Sequence, residues 1–143
     1  MTDDKQSIAD MLFQNLQAFF RFNQFKTSHS PTREHRESFA ENMTKQFNIP
    51  VVSVDSAKEV VEESDIVISI AASMEPVIDG TWLSPGTTVV AAGPTTWRAH
   101  EVNDDVLIRA DKIIVDSLEQ APIEAGDLSG AVDRGILQWS QLY

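Results

Sequence analysis

Several hydrophobic runs in this 143-residue chain end in small or polar residues. The run 66–70 is followed by Ala71, Ala72 and Ser73, and the run 87–91 by Ala92 and Gly93, then Pro94, Thr95 and Thr96. The more polar run 25–28 leads into His29, Ser30, Pro31, Thr32 and Arg33, and the run 112–115 into Asp116 and Ser117. In an open parallel sheet, ligands bind beyond the carboxyl ends of the strands. Small side chains at those ends let a cofactor approach the backbone closely. Tight turns select the same residue types, so spacing alone leaves both readings open. Reactive side chains are few. His100 is the histidine nearest these ends, and its ordinary pKa suits general acid–base work. A loop histidine without a role is the simpler reading. His29 and His35 lie on the side of the 25–28 run. No HExxH or similar spacing supports a metal site. There are no cysteines, which excludes disulfides, thiolate chemistry and Cys-type zinc sites.

Composition narrows the partners. Eleven Lys and Arg against 22 Asp and Glu give a formal charge of −11. Nucleic acid and anionic membranes need a basic face, so neither is an expected partner. No apolar stretch approaches the roughly 18 residues of a membrane span. The opening MTDDKQSIAD is polar and acidic rather than a secretory signal, so a cytoplasmic location is the expectation. With 42% hydrophobic and 23% charged residues, the chain reads as one globular domain.

The elements that must position the run ends follow from periodicity. Ile8, Leu12, Leu16 and Phe19 recur at helical spacing, which predicts an atypical N-terminal helix over 8–22. Ser30 is expected to cap a helix with Pro31 in its first turn, reaching about residue 46 with Phe39 and Met43 inward. Strands are predicted at 25–28, 51–54, 66–70, 87–92 and 112–115. Ser56 and Asn103 are expected to cap short helices. Asp79-Gly80 and Pro85-Gly86 read as turns, and the last third as helical and loop-rich. Strands alternating with helices argue for an α/β fold with a mostly parallel sheet and helices on both faces, a three-layer arrangement.

Five segments in order carry a resemblance: SPTREHRESFAENM, DIVISIAASMEPVIDGTWLSPGTTVVAAG, WRAHEVNDD, ADKIIVDSLEQA and EAGDLSGAVDRGILQW. Together they resemble the Rossmann-like dinucleotide-binding domain of the ornithine cyclodeaminase/mu-crystallin family. The resemblance implies NAD or NADP as cofactor, held by Ser30, Thr32, Arg33, Ala71, Ala72, Ser73, Ala92 and Gly93. Ser30 falls at the strand end that meets the adenosine ribose. A neutral residue there leaves room for a 2′-phosphate, with Thr32 to donate a hydrogen bond and Arg33 or Arg36 to supply charge. The departures are as informative. No glycine precedes Gly80, so the family's first strand and the glycine-rich pyrophosphate turn are expected to be missing, and Asp3 and Asp4 would repel that anion. Thr95 stands where the cyclodeaminase branch has an Asp. Trp97-Arg98 matches a Trp-Arg-Glu run of the mu-crystallin-like branch, but Ala99 and His100 separate it from Glu101. This favours an imine-reducing or amino-acid-dehydrogenating relative over a cyclodeaminase. The family's substrate-holding domain has no counterpart here, so the expectation is a truncated member with little or no activity alone and no assignable catalytic residue. The alternatives are a non-enzymatic nucleotide-binding module, or an interaction protein. In the last, Phe13, Phe19, Phe20, Phe22 and Phe25 would cover a partner chain or a second copy.

Overall fold

The computed structural model describes residues 27–71, 73–93 and 96–143. The helix expected over 8–22, the five phenylalanines of the N-terminal stretch, Ala72, Pro94 and Thr95 lie outside those residues. The chain divides into two units, Met1–Val60 and Val61–Tyr143.

In the first unit, β1 (Thr27–Ser28) and β2 (Val52–Ser53) pair in parallel. The Val54 N–H extends the pairing by donating to the Ser28 carbonyl at 3.0 Å. The connection between them is α1 (Arg33–Phe47). Phe39, Ala40, Met43 and Phe47 recur at intervals of three and four, which puts them on one helical face. Ala40 and Met43 are buried with Val51, and Phe39 and Phe47 pack against them. Phe39 and Met43 therefore stand inward as their spacing predicts. The helix stops at Asn48, whose φ of 53° lies in the left-handed region, a conformation that Asn tolerates better than most residues.

The start of α1 differs from the expectation. The cap position is Thr32, not Ser30, and Pro31 lies before the helix rather than in its first turn. The backbone at Thr32 is still extended, and the first helical bond runs from Arg36 N–H to the Thr32 carbonyl at 3.1 Å. The Arg36 guanidinium folds back onto the Ser30 carbonyl at 3.2 Å. That bond holds 30–32 as an extended exit from β1. Ser56 behaves as expected, its hydroxyl accepting from the Glu59 N–H at 3.3 Å at the start of α2 (Ala57–Glu62).

In the second unit, β3 (Ile66–Ser69) and β4 (Thr88–Ala91) pair in parallel, with Ile66 opposite Thr88 and Ser69 opposite Ala91. Val67 is buried with Val61, Ile78, Val102 and Val106. Ile78 and Val102 form a parallel bridge, so every strand pairing among the described residues is parallel. Helix α3 (Asp104–Arg109) follows. Asn103 precedes it, but its side chain makes no cap bond. It accepts instead from the Gly80 N–H at 2.9 Å. Gly80 lies so close to the Asp105 and Val106 backbone that a Cβ would overlap both.

The last third is helical and loop-rich, as expected, with α4 (Ala121–Glu124), α5 (Gly126–Asp133) and a 3-10 turn at Trp139–Gln141. Ala121, Leu128, Ala131, Leu137 and Leu142 form its core. The strand expected at 112–115 does not form. Its backbone bonds go to one residue, with Tyr143 N–H donating to the Ile113 carbonyl and Val115 N–H to the Tyr143 carbonyl. One partner residue makes no ladder. Ile114 is 75% exposed, whereas a central parallel strand would be covered on both faces. Among the described residues, no helix is long and apolar enough to cross a membrane.

Candidate functional site

The register of β3 and β4 sets two strand ends side by side, Ser69 opposite Ala91. The last ladder bond runs from the Ala92 N–H to the Ser69 carbonyl at 2.8 Å. Beyond it the backbone ties pass through one side chain. Glu101 is 2% exposed. Its Oε1 accepts from the Ser69 hydroxyl at 2.9 Å and from the Ala71 N–H. Its Oε2 accepts from the Gly93 N–H at 2.8 Å. Three donors from the ends of two strands thus converge on one buried carboxylate, as a buried charge requires.

Glu101 is itself held at every backbone polar atom. Its N–H and that of Val102 donate to Asp127 Oδ1 at 2.6 and 3.0 Å. Its carbonyl accepts from Val77 and Ile78, both at 2.9 Å. Asp127 lies in the first turn of α5. That turn reaches the loop because Gly126 has no side chain. A Cβ there would stand 2.6 Å from the Thr96 carbonyl oxygen and closer still to that of Ala99. Gly93 is constrained in the same way. An added Cβ would stand 2.6 Å from the Ala71 carbonyl oxygen and would overlap the Glu101 carboxyl.

Burial pushes the Glu101 carboxyl above the usual glutamate range. Hydrogen bonds from Ala71, Ser69 and Gly93 pull it down, and the Asp127 carboxylate adds to the rise. The folded state therefore holds this proton more tightly than the unfolded chain. The stabilising contribution is full below the unfolded value near 4.5 and is lost as pH rises through the folded value. Wild-type protein is expected to lose stability relative to Glu101→Gln as pH is raised from about 4 to about 7. Urea unfolding of both proteins across that range measures the difference, and parallel pH dependences would refute it.

The other predicted residues separate into two groups. In the second unit, Ala71 and Gly93 are joined through Glu101. Ala92 is half-buried beside them. Ser73 accepts the His100 N–H on its carbonyl at 3.1 Å, while its hydroxyl donates to the Glu75 carbonyl at 2.6 Å. Trp97 is exposed, with the Arg98 guanidinium 4.6 Å from its ring centroid. In the first unit, Ser30 gives its carbonyl to Arg36, whose guanidinium also pairs with Asp55. Arg33 turns away along the helix to Glu37 at 2.7 Å. Thr32 is exposed and makes no side-chain cap bond. Of the two arginines, Arg36 is thus the one fixed at the end of β1. The Ser28 hydroxyl there is buried with no hydrogen-bond partner.

Glu101 is the residue that pattern reading missed, having been counted only as the displaced acid of a Trp-Arg-Glu run. Its signal was local. It sits directly before Val102 in a segment of inward apolar positions, and the residues facing it, Ala71 and Gly93, are too small to compete for space.

Two parallel strand pairs, the first joined through a helix, with small residues at the strand ends, define a Rossmann-like α/β protein. The chain belongs to the ornithine cyclodeaminase/mu-crystallin family, whose sequence model matches residues 8–137. It is 39% identical over 102 residues to the ketimine reductase mu-crystallin of Mus musculus, a match covering 70% of this chain and 31% of that protein. A solved Thermococcus litoralis Δ1-pyrroline-2-carboxylate reductase, in complex with NADH and L-proline, superposes with a TM-score of 0.78 at 30% identity, over 82% of this chain and 36% of that one. An archaeal alanine dehydrogenase dimer with bound NAD shares the fold, with a TM-score of 0.80 at 21% identity over 94% of this chain and 40% of that one. The chain spans about a third of the length of the relatives it matches.

Proposed function

We propose that this chain is the nicotinamide-dinucleotide-binding part of an imine-reducing member of the family, and that binding rather than turnover is its own activity. The observation that carries the reading is the pair of strand ends at Ala71 and Gly93, whose backbone is free of bulky side chains and held in register by Glu101. The relatives described as ketimine and pyrroline-carboxylate reductases, one of them in complex with NADH, support it. Thr95, in the place of the cyclodeaminase branch's Asp, counts against cyclodeamination. Titration with NADH and NADPH, followed by the fluorescence of Trp82, Trp97 and Trp139, tests it. Saturable binding of either supports the reading. No binding at millimolar concentration by a folded chain overturns it.

By the family resemblance, the end of β1 is the strand end that meets the adenosine ribose and so sets which nucleotide is preferred. Ser30 carries no charge, and the partly buried Arg36 guanidinium, held by the Ser30 carbonyl and Asp55, supplies a fixed cation. NADPH is therefore the proposed preference. Arg36→Ala is expected to weaken NADPH binding about tenfold, a change of about 1.4 kcal/mol, and NADH binding much less. Equal losses for the two nucleotides would assign Arg36 to structure alone. Arg33→Ala, which breaks only an exposed pair with Glu37, is expected to change neither.

A second reading concerns assembly. Ile108, Ile114, Leu118, Ile123 and Tyr143 are large apolar residues left exposed, which favours association with a partner chain or a second copy. Sedimentation across a hundredfold concentration range separates a self-associating chain from a monomer.

A further inference from the structure

We propose that Glu101 is the positioning residue of the nucleotide site, tying the backbone beyond β3 to that beyond β4 so that both approach one ligand together. This rests on the nucleotide-binding reading above. The ladder between the two strands ends at the Ala92 N–H. Past that point the next amides, Ala71 and Gly93, donate to neither strand but to the two oxygens of one side chain. The carboxylate stands in for the ladder where the chains must part to admit a ligand. At 2% exposure it cannot present itself to a solvent-borne molecule, so its effect passes through the backbone it holds.

The chemistry of the group makes the role specific. A carboxylate offers an acceptor oxygen to each amide. A glutamine offers one, and its NH2 group would face the other amide donor to donor. Glu101→Gln keeps the size and the burial but severs one of the two ties. It also removes a buried charge, whose desolvation opposes folding. Removing the charge offsets the cost of the amide left without an acceptor, so affinity should fall while stability changes little, a split that a merely structural residue would not produce. Asp is one methylene shorter and cannot reach both strand ends from the same backbone position, which Asp127, Val77 and Ile78 fix.

The test uses the full chain. NADPH and NADH dissociation constants, thermal midpoints and amide proton shifts of Ala71 and Gly93 are measured for wild type, Glu101→Gln and Glu101→Asp. The expected result for Glu101→Gln is a midpoint little changed, a change in at least one of the two amide shifts, and nucleotide affinity reduced at least tenfold. Glu101→Asp should show a similar loss. Unchanged affinity in Glu101→Gln overturns the proposal. A wild type that binds neither nucleotide overturns the proposed function instead. Amide shifts at 71 and 93 that are identical in wild type and Glu101→Gln then overturn the tie between the strand ends separately. Should Glu101→Gln fail to fold, hydrogen exchange in the wild type decides. Ala71 and Gly93 amides protected as well as that of Ala92 support the tie, and exchange at the rate of a free peptide overturns it.

Discussion

Gly93→Ala is expected to destabilise the protein by about 2–3 kcal/mol and to abolish nucleotide binding, because the one new methyl group has nowhere to go. The overlap falls on the Ala71 carbonyl oxygen at 2.6 Å and on the Glu101 carboxyl. Neither is free to swing aside. The carbonyl belongs to backbone leaving β3, and the carboxyl is held by three donors. Relief requires the loop after β4 to move outward or Glu101 to leave its pocket. Either movement strands the Ala71 or Gly93 amide. Gly130→Ala is the matching control. There the nearest atoms belong to the Arg134 guanidinium, at 3.0 Å, which can swing aside. Within α5, alanine should then gain about 0.5–1 kcal/mol from helix propensity. Chemical denaturation of the two variants beside wild type measures both. A Gly93→Ala protein as stable as wild type would show that the strand ends are looser than their hydrogen bonds imply.

Asp127→Ala is expected to cost about 3 kcal/mol, since it leaves the buried Glu101 and Val102 amides without an acceptor. The carboxylate does little that an amide oxygen could not. Asp127→Asn keeps one oxygen aimed at both amides and should cost less than about 1 kcal/mol. Asn also removes the negative charge that helps raise the Glu101 carboxyl, so that group should titrate lower in Asp127→Asn than in wild type. Denaturant midpoints separate the two variants. Equal losses would mean that charge at the start of α5, rather than the two hydrogen bonds, is what Asp127 contributes.

Much of the fold was legible because it rests on local signals. The alternation of apolar runs with helical periods identified β3, β4 and α1, and the spacing of Phe39 and Met43 gave the inward face. Ser56 capped its helix because a hydroxyl three residues before an N–H needs no tertiary help. The errors came where a distant partner intervened. Ser30 does not cap because the helix cap falls two residues later, at Thr32, while the Ser30 carbonyl is taken by a guanidinium six residues away. Asn103 turned its side chain to Gly80 rather than to its own helix. The run at 112–115 has the composition of a buried strand, yet among the described residues its backbone is met only by Tyr143, 28 residues beyond Val115. The site was half legible. Small residues at Ala71 and Gly93 marked the strand ends, but their link depends on a side chain separated by 30 residues from one and 8 from the other. No periodicity encodes that distance.

A side chain at position 93 would enter the space that the Glu101 carboxyl fills, which couples the two positions. A larger residue at position 93 is excluded while the acid fills its pocket. A shorter residue at position 101 would relieve only part of that overlap, because the Ala71 carbonyl oxygen would still stand 2.6 Å from a methyl group at 93. Glycine at 93 is therefore expected to persist even in a chain whose residue at 101 has shortened. A side chain at 93 should fail in either background, and the two changes made together should cost less than the sum of each made alone, because they share one overlap.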